Sequence, residues 1–195
     1  MIIYIVGMSC VGKSTIGKML AKSIGFSFYD LDLVVEGYYK KPIERIQDEC
    51  FSIDHFRKKV SIVLDQLFSE KSHVVIAGTP AGLKFHCLHV YKKHKLKKDI
   101  SSVYLKDSCE NILERLRFYD KDSKPIIEIM DESKKIRYLR RLKIDYDYFR
   151  ESYKRADFKI DINNIPLNDI PSLIISDLQK TKTIPFQHTL TDKIG

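Results

Sequence analysis

Gly7-Met8-Ser9-Cys10-Val11-Gly12-Lys13-Ser14 constrains this chain more than any other stretch, because it matches G-x-x-x-x-G-K-[ST] between an apolar run and a helical pattern. Ile2-Ile3-Tyr4-Ile5-Val6 before it has the composition of a buried strand. Ile16, Met19, Leu20 and Ile24 after it fall at i, i+3, i+4 and i+8, one face of a helix. Strand, glycine turn and helix in that order build a phosphate cradle. Gly7 and Gly12 permit the tight curl that turns backbone N–H groups inward, the helix N-terminus adds positive potential, Lys13 reaches the outer phosphates, and Ser14 offers a hydroxyl to Mg²⁺. The expected nucleotide-binding set is Gly7, Ser9, Cys10, Val11, Gly12, Lys13, Ser14 and Thr15.

Composition matters here for what it excludes. The 195 residues are 44% hydrophobic and carry no linker-like stretch, so a single domain with a proper core is expected. No apolar run is long enough to span a membrane. The first strand runs straight into the phosphate loop, where a cleavable leader would destroy the site, so a cytoplasmic protein is expected. Cys10, Cys50, Cys87 and Cys109 form no C-x-x-C pair, which points to reduced thiols. The net charge of +8 gathers at Lys84, Lys92, Lys93, Lys95, Lys97 and Lys98. Aromatic residues that would stack bases are not interleaved there, so a solvated lysine face is expected and nucleic acid is not.

Along the chain, Gly25 ends the first helical pattern and Phe26-Ser27-Phe28-Tyr29 suggests a second strand ending in Asp30-Leu31-Asp32. Strand alternation would turn Asp30 and Asp32 to one side at the carboxyl end of a sheet, where ligands bind; a helix cap near Leu33 is the alternative use of one of them. Residues 42–49 suggest a short helix, and Phe56, Val60, Val63, Leu64 and Leu67 mark a longer one with Arg57 at the edge of its stripe. His73–Ala77 is a third strand, running into a small-residue turn at Gly78-Thr79-Pro80-Ala81-Gly82 where backbone can approach a ligand. His86 and His89 share a helix face without further ligands for a metal. Ser101–Leu105 is the fourth strand, followed by a helix bearing Ile112, Leu113 and Leu116. Periodicity fails over 118–131, a basic, irregular segment with Lys121, Lys124 and Pro125, framed by Arg115 and Arg117 and suited to a lid. A long helix with Leu139, Leu142, Tyr146, Phe149 and Tyr153, a fifth strand at Phe158–Ile162 and a last helix opening near Pro171 complete the pattern, leaving 181–195 as a tail.

Over residues 1 to 165 these motifs resemble the shikimate kinase family. Its D-x-D beyond the phosphate loop appears as Asp30-Leu31-Asp32, which implies Asp30 on the Mg²⁺ side and Asp32 on the acceptor hydroxyl. Its F-R pair appears as Phe56-Arg57, implying that Arg57 holds the acceptor carboxylate, with Val60 where a glutamate normally supports that arginine. The Gly-Gly-Gly turn whose N–H groups meet the acceptor is Gly78-Thr79-Pro80, and proline has no N–H. The lid arginine becomes Lys124, a point charge in place of a bidentate fork. For the second carboxylate-binding arginine, Arg150 is the nearest candidate; Arg115 or Arg117 suits the platform under adenine.

The resemblance implies an α/β, three-layer P-loop NTPase fold of the nucleoside-monophosphate-kinase type. It has a five-stranded parallel sheet, one kinase domain over 1–180 and a lid at about 118–131. It also implies ATP and Mg²⁺ as cofactors and a monomer. The γ-phosphoryl group would move to a hydroxyl of a small anionic metabolite, first of all shikimate to shikimate 3-phosphate in aromatic amino acid biosynthesis. The alternatives are a related kinase for another sugar acid or nucleotide, and a nucleotide-dependent regulatory or nucleic-acid-binding protein.

Overall fold

The computed structural model describes residues 1–181. The chain opens with β1 (Ile2–Val6), α1 (Lys13–Ile24), β2 (Ser27–Asp30), α2 (Leu31–Tyr39), α3 (Ile43–Asp48) and α4 (Ile53–Glu70). It continues with β3 (Val74–Ala77), α5 (Phe85–Lys95), β4 (Ile100–Lys106), α6 (Cys109–Glu114), β5 (Phe118–Tyr119) and β6 (Pro125–Ile126). It closes with α7 (Glu132–Tyr153), β7 (Phe158–Asp161) and α8 (Ile170–Thr181). Apart from Thr181, the expected tail lies outside the described residues.

The main sheet has the order β2-β3-β1-β4-β7, every pairing parallel. β1 sits at its centre and is buried along its whole length, as a strand covered on both faces must be. Adjacent residues of β1 face opposite layers. The Tyr4 ring meets Phe68 of α4 edge-on at 5.3 Å and Tyr91 of α5 at 6.3 Å, whereas Ile5 approaches Gly17 of α1. That is a three-layer arrangement, as expected. α1 ends at Gly25, whose φ of +69° lets its N–H reach back to Ala21 O.

Three sequence expectations change. The carboxylates of Asp30 and Asp32 do not share a strand face, because β2 stops at Asp30 and Asp32 lies in the first turn of α2. The lid segment is not irregular throughout: β5 and β6 pair antiparallel, and the turn between them is closed by Asp120, whose Oδ1 accepts from Asp122 N at 2.8 Å and Lys124 N at 3.0 Å. The lysine-rich face is not merely solvated either. Lys93 pairs with Asp65 at 2.9 Å, Lys95 pairs with Asp157, and Lys98 donates to Phe68 O at 2.6 Å at the end of α4. These lysines fasten α5 and the turn after it to their neighbours.

Candidate active site

The phosphate loop is built from backbone that only particular residues tolerate. Gly7 has φ +151°, and a Cβ there would stand 2.7 Å from Leu105 O of β4; Gly12 has φ +108°. Cys10 also adopts a positive φ, +58°, in an αL conformation that the sequence did not signal. No side chain caps α1 and no acidic residue occupies its first turn, so the first-turn N–H groups, those of Lys13, Ser14 and Thr15, face the loop's hollow without an intrahelical partner. Lys13 Nζ donates to Met8 O at 2.7 Å and Gly7 O at 3.1 Å. Burial pushes the Lys13 pKa down, against the pull of Asp32, Cys10 and Asp30.

Asp30 serves two neighbours at once. Its Oδ1 accepts from Asp32 N at 3.1 Å, capping α2, and its Oδ2 accepts from Ser14 Oγ at 2.5 Å. Cap and site were alternatives in the sequence; with two oxygens, one carboxylate caps α2 and still meets Ser14. A hydroxyl and a carboxylate beside an open helix N-terminus are hard oxygen donors of the kind Mg²⁺ takes next to phosphates, so the residues present fit that ion and a nucleotide. Asp32 is open to solvent on the cleft side, but protein crowds its carboxyl elsewhere. Lost solvation first, then repulsion from Asp30, Glu36 and Glu44, outweigh the attraction of Lys13 and push its pKa up to about 6.

Away from the loop, a cavity of about 240 Å³ brings Arg57 and Thr79 together with Val60, Pro80, Asp145 and Phe149. Arg57 lacks a supporting glutamate and is held otherwise. Its guanidinium lies over the Phe85 ring at 4.6 Å and near the Tyr148 ring at 5.8 Å, and it donates to Tyr148 Oη at 3.4 Å. Lys84 fixes that tyrosine, its Nζ 3.3 Å from the ring centre and 2.8 Å from Tyr148 O. The Cys87 thiol in the same cavity is pushed up to about 12 by burial, against the pull of Arg57, so it stays neutral and leaves the guanidinium's charge uncancelled. The sequence reading missed Tyr148, Asp145 and Phe85. The only signal was the i, i+3/i+4 spacing of Asp145, Tyr148 and Phe149 along α7; nothing in the sequence marked Phe85.

Two expected acceptor residues behave differently. The Gly78 N–H is spent on Ile5 O at 2.8 Å, and its missing Cβ makes room for the Tyr4 ring, which would lie 2.6 Å away; the turn's glycines serve the core before any ligand. Thr79 keeps its N–H free among the described residues. Arg150 does not line the cavity and lies between Asp147 at 3.7 Å and Glu151 at 3.8 Å, because the face of α7 turned to the cavity carries Asp145 and Phe149 instead.

Arg115 is anchored by the buried carboxylate of Asp107, which also accepts from Asn111 Nδ2 at 2.8 Å, whereas Arg117 is exposed and donates to Leu116 O at 3.4 Å. Lys124 lies in the turn between β5 and β6 with its side chain exposed. The turn is docked on α2 and α3: Ser123 Oγ stands between Glu36 and Glu44, and Arg45 pairs with Asp122.

A parallel sheet with β1 between β3 and β4, a glycine cradle at its carboxyl end and a carboxylate opposite define a P-loop kinase for small molecules. Known proteins narrow the class. A family model described as shikimate kinase matches residues 9–166. The chain belongs to the shikimate kinase family. It is 30% identical over 129 residues to a shikimate kinase of Clostridium botulinum, covering 66% of this chain and 72% of that one. The solved shikimate kinase of Aquifex aeolicus superposes with a TM-score of 0.70 at 26% identity, over 93% of this chain and 98% of that one. That of Acinetobacter baumannii in complex with shikimate does so with a TM-score of 0.70 at 26% identity, over 94% and 95%. The protein is an ATP-dependent kinase that transfers phosphate to a hydroxyl group of a small molecule.

Proposed function

We propose that the acceptor is a hydroxylated carboxylic acid, with shikimate, converted to shikimate 3-phosphate for aromatic amino acid biosynthesis, as the first candidate. The observation that carries this is the guanidinium of Arg57, presented to the cavity on two aromatic rings with no counter-charge of its own. It receives the acceptor carboxylate, and the Thr79 N–H is a further donor. Asp32 accepts the proton of the attacking hydroxyl and orients its oxygen. The loop N–H groups and Lys13 hold the nucleotide, with Lys13 exchanging the carbonyls of Gly7 and Met8 for phosphate oxygens. Ser14 and Asp30 would hold Mg²⁺, which would supply charge neutralisation on the transferring group. Arg115, fixed by Asp107, is the better placed adenine platform, and Lys124 reaches the phosphates only after the lid moves. In this reading the enzyme works as a cytoplasmic monomer.

A second reading, another hydroxylated acid, draws on Pro80 and the position of Arg150, each of which removes one contact expected for shikimate. ADP release with shikimate, measured for the wild type and Arg57→Ala, tests the reading. Stimulation by shikimate that falls about 10- to 150-fold in kcat/KM in the variant is expected for one lost charge-assisted hydrogen bond of about 1.5–3 kcal/mol. No stimulation at millimolar shikimate overturns the substrate, and an acceptor indifferent to Arg57 overturns the carboxylate clamp.

A further inference from the structure

The cavity beside Arg57 contains a second fixed charge. Asp145, midway along α7, lines it together with Gln47, Thr79 and Phe149. Among the described residues neither Arg57 nor Asp145 has an oppositely charged partner, and they do not pair with each other. Arg141, one turn before Asp145 and bordering an open groove with it on the outer side of α7, does not pair with it either. Every other side chain lining the cavity is uncharged, the Cys87 thiol included. A guanidinium and a carboxylate that share about 240 Å³ without satisfying one another form a dipole, and a complementary guest carries an anionic end and a proton-donating end.

We propose that Asp145 is a specificity-determining residue of the acceptor site, accepting a hydrogen bond from a hydroxyl or ammonium group of the acceptor, across the cavity from the carboxylate that Arg57 holds. This rests on reading the cavity as the acceptor site. Acids with one carboxylate and donors at the far end fit; a second carboxylate there meets a like charge at short range, which disfavours it.

The test is binding by titration calorimetry of shikimate, D-gluconate, L-homoserine and L-tartrate to the wild type, Asp145→Asn and Asp145→Ser, each variant checked for folding by circular dichroism. The wild type is expected to bind at least one of the first three ten-fold or more tighter than tartrate. Asp145→Asn keeps the shape and removes the charge; it is expected to weaken that acceptor by ten-fold or more and to shrink the gap to tartrate below three-fold. The proposal is overturned if the wild type binds none of the four, if it takes tartrate as well as the monoacids, or if both variants bind like the wild type. Asp145-dependent binding of gluconate or homoserine without shikimate-stimulated ADP release overturns the shikimate reading alone and supports this one.

Discussion

Asp32 illustrates what a single position in the cleft costs and supplies. Its carboxyl titrates near 6 because lost solvation and Asp30 oppose its charge. In the proposed role of proton acceptor it must be ionised, so kcat/KM is expected to fall as pH drops below about 6. Asp32→Asn should erase that limb and lose about 10²- to 10⁴-fold in rate. The sign for stability is opposite to that of an ordinary paired carboxylate. A folded-state pKa raised above the unfolded value means that folding favours the protonated form; that contribution is full below about pH 4 and lost as pH rises through about 6. The ligand-free Asn variant should therefore unfold at higher temperature than the wild type at pH 7–8, by about 1 kcal/mol once cleft water screens the charge, with the gap closing toward pH 4. A variant no more stable at pH 8 than at pH 4, relative to the wild type, would contradict this assignment. The residue itself was legible in the sequence as the second aspartate of a spaced pair. Its environment was legible only in part: Glu36 stands one turn away on α2, whereas the burial and the approach of Glu44 on α3 come from tertiary folding.

Among the elements, those with a period of their own were legible. β1, α1 and α4 follow their apolar patterns closely, because β1 is buried throughout and each helix buries one stripe, and α8 opens at Ile170 with Pro171 in its first turn, as expected. The β5–β6 hairpin has two-residue strands, too short for any alternation to show, and its turn is specified by the Asp120 side chain rather than by glycine. Its docking through Ser123 and Asp122 involves residues about eighty positions away. Hydrogen exchange over 118–131 should be faster in Ser123→Ala than in the wild type and slower in the wild type with an ATP analogue, while the melting temperature barely changes, since exposed polar pairs contribute little. Exchange indifferent to both would show that this segment is not a lid.

At the scale of the whole molecule, the centre of the sheet and the acceptor turn are one packed unit. Gly78→Ala would drive a Cβ to 2.6 Å from the Tyr4 ring, which is fully buried and braced by Phe68 and Tyr91 and so has no room to yield. Overpacking of this kind typically costs about 1–3 kcal/mol, so the urea midpoint should drop accordingly, with the denaturant slope unchanged. An unchanged midpoint would mean that the turn shifts freely. The sequence pointed to a ligand at this turn because small residues suit both purposes; only the packing tells them apart. A last consequence follows from the way Arg57 is held. Aromatic rings orient a guanidinium without cancelling its charge, as a buttressing glutamate would, so its field, offset in part by Asp145 in the same cavity, adds to that of a chain that already carries +8. An acceptor of the proposed anionic kind should then be drawn in before contact, with an association rate that falls steeply as ionic strength rises toward 0.1 M, where the Debye length shortens to about 10 Å, while the dissociation rate changes little.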